Sequence, residues 1–212
     1  ERIERQIEQR TAMLSGVSHD LRTILTRFKL QLALSGSKAD YEALNQDIDD
    51  MQTMLEGYLA FARGETGETP ASFDLAAFFE KQGEEARMRK RTLTASLSGS
   101  PEVHVRPNAF SRLLTNVIGN ALRYARKVEV TATHTSGTLL IVVDDDGPGI
   151  PADKREEVFK PFVRLDDARN QDAGGTGLGL SIARDIARSH GGDISLEDSP
   201  LGGLRAVIRI PA

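Results

Sequence analysis

Thr138-Leu-Leu-Ile-Val-Val-Asp-Asp-Asp-Gly-Pro-Gly-Ile150 is the stretch on which the reading of this chain turns. Its first half is aliphatic and β-branched, which predicts a strand. Its second half switches to three carboxylates, then glycine and proline, which predict a turn. Taken alone this is an ordinary strand end. Upstream, residues 128–133 are again β-rich, and His134-Thr-Ser-Gly137 predicts a hairpin loop between the two strands. Residues 107–125 predict a helix with Pro107 near its first turn. Before it come a short strand at 103–105 and a helix at 75–89, with Phe78 and Phe79 on its apolar side. Downstream the pattern predicts a helix at Gly179–Ser189 and strands at 194–197 and 205–210. Helices mixed with hairpin-linked strands predict an α/β sandwich, one mixed sheet with helices on one face.

Toward the N-terminus the periodicity changes. Ile3, Ile7, Arg10, Leu14, Val17, Leu21, Ile24 and Phe28 follow alternating steps of four and three. So do Tyr41, Leu44, Ile48, Met51, Leu55, Tyr58 and Ala62. Both are heptad seams, joined through Ser35-Gly-Ser-Lys-Ala-Asp40, where Gly36 suits a helix C-terminus. The expectation is an antiparallel helical hairpin. Two helices cannot enclose a core, so two hairpins should meet as a four-helix bundle in a homodimer. Packing of the hairpin on the rest of its own chain is the alternative. Gly64-Glu-Thr-Gly-Glu-Thr-Pro70 reads as a linker. The expected domains are therefore 1–66 and 67–212.

Composition narrows the function classes. The chain has 212 residues, 27 basic against 31 acidic, for a net charge of −4. That balance argues against a nucleic-acid binder. At 39% hydrophobic and 27% charged it reads as a soluble globular chain. There is no cysteine, so disulfides, thiolate metal sites and a thiol nucleophile are excluded. The longest aliphatic run, 139–143, falls far short of the about 20 residues a membrane span needs.

Several short segments carry chemical possibilities. His19 falls at the f position of the first seam, away from the partner helix. Asp20 follows it, and Thr23 lies one turn on. With a reference pKa of roughly 6.5 the imidazole is largely neutral at pH 7 and available as a nucleophile. A neighbouring carboxylate can accept its proton. A solvated surface histidine is the plainer reading. Asn116-Val-Ile-Gly-Asn120 puts two amides on one helical face, and a buried amide needs partners. An amide oxygen is also a plausible Mg²⁺ ligand. Gly174-Gly-Thr-Gly-Leu-Gly-Leu180 opens a helix, where glycines allow close backbone approach and the N-terminus favours phosphate. It lacks the Lys-Ser/Thr of a P-loop. Phe159-Lys-Pro-Phe162 reads as a local hydrophobic clasp or as part of a site.

Ser18-His19-Asp20-Leu21-Arg22-Thr23 resembles the H-box of bacterial two-component sensor histidine kinases, and Leu25-Thr26-Arg27 resembles their osmosensor-type subgroup. In the same order as that family's N, G1, F and G2 boxes come Asn116…Asn120, Asp145-x-Gly147-x-Gly149, Phe159…Phe162 and Gly175-x-Gly177-x-Gly179. The resemblance implies a helical-hairpin dimerisation domain followed by the α/β sandwich of the gyrase, Hsp90, kinase and MutL (GHKL) ATP-binding fold. It implies ATP and Mg²⁺ as cofactors and a response-regulator receiver domain as partner. His19 would be the phospho-acceptor, Asp20 its acid/base, and Thr23 the residue that positions water for phosphatase activity. Asp145 would accept from the adenine amino group, with Gly147 and Gly149 against the base. Asn120 would hold Mg²⁺, with Asn116 lining the phosphates and Arg123 and Tyr124 contacting phosphate and nucleotide. Residues 164–176 would form the ATP lid, with Phe159, Arg164, Gly175, Thr176, Gly177, Leu178 and Gly179 at the cofactor. The hydrolysing branch of the fold carries Glu where this chain has Asn116, so the site should hold ATP for another nucleophile. One position departs from the pattern: Ile24 stands where the family carries Pro, which should restore a helix hydrogen bond and remove a kink. The chain is then expected to be the soluble cytoplasmic portion of an inner-membrane receptor.

Overall fold

The computed structural model describes residues 68–135, 137–161, 163, 165 and 177–211, all within one compact unit. The heptad seams and the linker up to residue 67 lie outside the described residues. In order the elements are β1 (Ala71–Asp74), α1 (Leu75–Met88), β2 (Thr92–Gly99), β3 (Glu102–Val105) and α2 (Pro107–Tyr124). They continue with β4 (Lys127–Thr135), β5 (Thr138–Asp145), α3 (Gly179–Ser189), β6 (Asp193–Asp198) and β7 (Leu204–Ile210). Two 3₁₀ turns, Ala152–Lys154 and Glu157–Phe159, lie between β5 and α3.

The main sheet has the order β2-β4-β5-β7-β6. β2 pairs with β4 in parallel, and the remaining neighbours pair antiparallel, so the sheet is mixed as expected. The strand expected at 103–105 is present but belongs to a separate two-stranded sheet with β1, where Ala71 faces Val105. The single-sheet expectation is corrected on that point. Neither β1 nor β2 was anticipated. β2 is half Ser and Thr with Leu93 and Leu97 as its only large apolar residues, because it is an edge strand with most of its surface in water.

Alternation along β5 turns Leu139, Ile141, Val143 and Asp145 to the buried side. Val128, Val130 and Ala132 on β4 and Ile208 and Ile210 on β7 join them in one core. The helices supply the other half. Phe110, Leu113, Leu114 and Ile118 of α2 are completely buried, as is Leu75 of α1. Truncating one of these to Ala would cost about 2–5 kcal/mol. Phe73 of β1 meets Phe110 edge-on at 5.2 Å, which fastens the small sheet to α2.

The helix starts are capped in different ways. Asp74 caps α1 itself, its Oδ1 accepting from Ala77 N at 3.0 Å. α2 begins with Arg106 and Pro107, and Arg106 makes no side-chain cap. Glu68 supplies one from 40 residues upstream: its two carboxylate oxygens accept from Asn108 N at 2.6 Å and Ala109 N at 3.1 Å. A carboxylate at that place satisfies two orphan donors and meets the positive end of the helix dipole.

Candidate nucleotide site

Three consecutive carboxylates at the end of β5 divide into three different environments. Asp144 points to the open face of the sheet and forms a two-pronged ion pair with Arg205, its register partner on β7, at 2.9 Å on both prongs. Asp146 turns back to the start of β4, where its Oδ1 accepts from Arg126 N and Lys127 N, both at 2.8 Å. Those backbone donors, that of Lys127 foremost, hold the Asp146 carboxyl below the usual carboxylate range.

Asp145 lies between them on the helix-covered face and is 5% exposed. No cation pairs with it among the described residues. Its Oδ1 accepts from Gly147 N at 2.8 Å and Leu204 N at 3.0 Å, and its backbone oxygen accepts from Gly203 N at 3.1 Å. Burial pushes its carboxyl above the ordinary value, against the two backbone donors that lower it. Oδ2 makes no hydrogen bond among the described residues. Asp145 lines a pocket with Val117, Asn120 and Ala121 of α2, Leu180 of α3, and Leu204 and Ala206 of β7. An apolar slot with one pinned, buried carboxylate suits a flat ligand that carries a hydrogen-bond donor on its edge.

The backbone around Asp145 leaves no room for side chains. A Cβ at Gly203 would lie 2.2 Å from Asp145 Oδ1 and 2.5 Å from Gly147 N. One at Gly147 would lie 2.9 Å from the same oxygen. Gly149 has a φ of +72°, the left-handed region that favours glycine, and packs against Gly203 O. Gly203 and Leu204 are parts of this site that the sequence reading missed. The only signal was the pair Gly202-Gly203 before β7, which reads as a turn.

The two amides of α2 occupy different positions. Asn120 faces the pocket beside Asp145. Asn116 is one turn earlier, and its Nδ2 is buried with no hydrogen-bond partner among the described residues. A buried donor without an acceptor is costly, and it marks a place where a polar ligand atom would be welcome. Its Oδ1 points toward the first residue of α3, 3.8 Å from where a Cβ on Gly179 would sit. The start of α3, in the same neighbourhood, has no side-chain cap.

Other expected site residues are placed less directly. Arg123 and Tyr124 are exposed at the end of α2, and the Tyr124 carbonyl adjoins Gly147. Phe159 belongs to the hydrophobic core, under the guanidinium of Arg184, and does not line the pocket. Leu178 is buried as the residue before α3, and its carbonyl accepts from Ser181 Oγ at 2.8 Å. Gly177 has a φ of +68°. His19, Asp20, Thr23 and Ile24, together with Phe162, Arg164, Gly175 and Thr176, lie outside the described residues.

Comparison with known proteins agrees with this geometry. Residues 105–212 match the family described as histidine kinase-, DNA gyrase B- and HSP90-like ATPase. The sensor histidine kinase CpxA of Escherichia coli (strain K12) is 36% identical over 221 residues, covering 99% of this chain and 48% of that protein. The sensor histidine kinase GtrS of Pseudomonas aeruginosa is 34% identical over 212 residues, covering 100% of this chain and 44% of that protein. The chain thus spans about half the length of these curated relatives. Among solved structures, the ATP-binding domain of PrrB from Mycobacterium tuberculosis is 30% identical with a TM-score of 0.53, covering 68% of this chain and 97% of that one. With its pinned carboxylate, its paired amides and its glycine turns in the family's order, the chain belongs to the histidine kinase-, DNA gyrase B- and HSP90-like ATPases and is homologous to the sensor histidine kinases.

Proposed function

We propose that this chain is the catalytic core of a dimeric sensor kinase that phosphorylates its own His19 from MgATP and passes the phosphoryl group to an aspartate of a response-regulator receiver domain. One observation carries the nucleotide half of this reading. Asp145 lines an apolar slot and is pinned through Oδ1 by two backbone donors, while Oδ2 makes no hydrogen bond among the described residues. That oxygen would accept from the exocyclic amino group of adenine. The unpartnered Nδ2 of Asn116 would donate to a phosphate oxygen, with the uncapped start of α3 nearby. Among the described residues no group of three His, Asp or Glu side chains could cage a cation. The residues do fit a magnesium ion held by the Asn120 amide oxygen and otherwise by phosphate and water oxygens. When bound it would neutralise charge on the transferred group.

The chemistry follows from these assignments. An imidazole nitrogen of His19 attacks the γ-phosphorus, the bond to the β–γ bridging oxygen breaks, and ADP departs. Asp20 takes the proton that the imidazole loses. Catalysis rests on holding the two reactants in line rather than on a protein base that activates water, because Asn116 cannot act as one. Phosphatase activity toward the phosphorylated receiver, with Thr23 positioning water, belongs to the same proposal. So do the domain limits near residue 66, the homodimer of hairpins, the lid over 164–176, and attachment to a membrane through a sensor region. No helix among the described residues is long and apolar enough to cross a membrane.

The test is incubation with ATP labelled at the γ-phosphate. The wild-type chain should acquire an acid-labile, base-stable label that His19→Ala and Asp145→Ala both abolish. Label that persists in His19→Ala refutes the assigned acceptor.

A further inference from the structure

Two backbone segments pin the Asp145 carboxylate, and they come from distant parts of the chain. The first is the loop after β5, residues 147–150, where Gly147 N donates to Oδ1 at 2.8 Å. The second is the turn between β6 and β7, where Leu204 N donates to the same oxygen at 3.0 Å and Gly203 N donates to Asp145 O at 3.1 Å. That turn is closed on itself by Ser199 N, which donates to Gly203 O at 3.0 Å. The loop belongs to no strand, so the sheet ladder does not fix its distance from the turn.

One side chain bridges the two segments. Arg155 stands between the two 3₁₀ turns and is 17% exposed. Its Nε donates to Ile150 O at 3.0 Å, at the end of the loop, and its Nη2 donates to Asp198 Oδ1. Asp198 ends β6 and is the register partner of Leu204. The guanidinium thus reaches from the loop that supplies one donor to Asp145 to the strand end opposite the other. Asp198 is 90% exposed, so a lone ion pair there would add little stability. Geometry is the larger effect. A guanidinium presents its donors in a rigid planar fork, so two acceptors that share it keep a fixed separation, whereas an ammonium on a flexible stem imposes none. The torsion of a carboxylate is broad, and Asp145 could rotate if one of its two donors withdrew. A hydrogen bond to a ligand weakens steeply with such misalignment.

We propose that Arg155 is a positioning residue for the base end of the site: by bridging Ile150 O and Asp198, it fixes the spacing of the two backbone segments that pin the Asp145 carboxylate. This rests on the reading of Asp145 as the acceptor for the adenine amino group. It makes a specific claim, that loss of Arg155 harms recognition of that amino group more than binding of the nucleotide as a whole.

The experiment uses the full chain and calorimetric titration with MgATP and, separately, with the magnesium complex of purine riboside triphosphate, which lacks only the exocyclic amino group. Sugar and phosphates are shared, so the ratio of the two affinities reports the amino group alone. The wild type should favour MgATP about tenfold or more. Arg155→Met should lower that ratio by about threefold or more, while purine riboside triphosphate weakens by less than about twofold. Arg155→Lys should fall between the two, since it keeps the charge but not the fork. Asp198→Asn, at an exposed position that cannot collapse the domain, should shift the ratio in the same direction by a smaller factor. A ratio that is unchanged in both Arg155→Met and Asp198→Asn overturns the proposal, even if both affinities fall together, because Arg155 then only supports the fold. A wild-type chain that binds neither triphosphate, or binds both alike, overturns the reading of Asp145 and this proposal with it. A wild type that favours MgATP, with unmoved variants, overturns this proposal alone.

Discussion

Asp144 and Asp145 are adjacent in the chain and both nearly buried, yet they sit on opposite faces of one sheet and are satisfied in opposite ways. On the open face Asp144 has a cation built for it, with both carboxylate oxygens taken by Arg205. On the helix-covered face Asp145 has no cation among the described residues, and only one of its oxygens is taken, by backbone donors. A carboxylate whose oxygens are both consumed by its own protein is part of the scaffold. One that is held rigid with an oxygen to spare is prepared for a ligand. The cost of that preparation is visible in its raised pKa, which comes first from burial.

Substitution should separate the two faces. Asp145→Asn exchanges an acceptor for a donor at the edge proposed for adenine, and hydrogen bonds to charged groups are worth about 1.5–3 kcal/mol. ATP affinity should fall about 10- to 150-fold in calorimetric titration, with the fold intact by circular dichroism. Asp144→Asn should leave that affinity within about twofold; an equal loss in both variants would break the comparison. Gly203→Ala should come next, because its Cβ collides with Asp145 Oδ1 and with backbone. A destabilisation of about 1–3 kcal/mol in urea unfolding is expected, together with weakened ATP binding. Breaking the other pair through Arg205→Met should cost about 1–2 kcal/mol of stability, and nucleotide affinity should not change.

The smallest effects are on pH dependence, and their signs differ. Burial raises the Asp193 carboxyl, but hydrogen bonds from Arg184, Ile194 N and Arg188 outweigh it and hold the group at about 2. A depressed carboxylate contributes stability above its unfolded pKa of about 3.9 and loses it as pH falls through the folded value. Asp193→Asn should therefore flatten the acid limb of the stability profile between about pH 4 and 2. Asp145 has the opposite shift. Its neutral form is favoured by folding, so its contribution is present below about pH 3.9 and is lost as pH rises through its higher folded pKa. Asp145→Asn should relieve that loss, and the gain in Tm over wild type should grow across that window. A gain that stays constant with pH would contradict the raised pKa.

Much of the fold was legible because its elements carry strong local patterns. Residues 179–189 have helical periodicity with glycine at the start, and α3 has those limits. The change from Val142-Val143 to three carboxylates marked the end of β5 to within one residue. What was not legible depends on partners far away in the chain. β2 is a Ser/Thr-rich edge strand whose parallel pairing with β4 crosses an intervening helix, so nothing local announces it. Phe159 looked like a candidate for the pocket, but aromatic residues serve cores as readily as sites, and here it joins the core. Gly203 shows the same limit within the site. Its role is to let β7 approach the Asp145 carboxylate, and only the three-dimensional juxtaposition reveals that requirement.

The Glu68 carboxylate grips the first turn of α2, and Asn116 and Asn120 follow on that same rigid rod, the nearer of them about 13 Å along it at 1.5 Å per residue. The first residue of the unit is thus clamped to the start of the helix that carries both amides, so the unit begins with a fastening and not with a loose end.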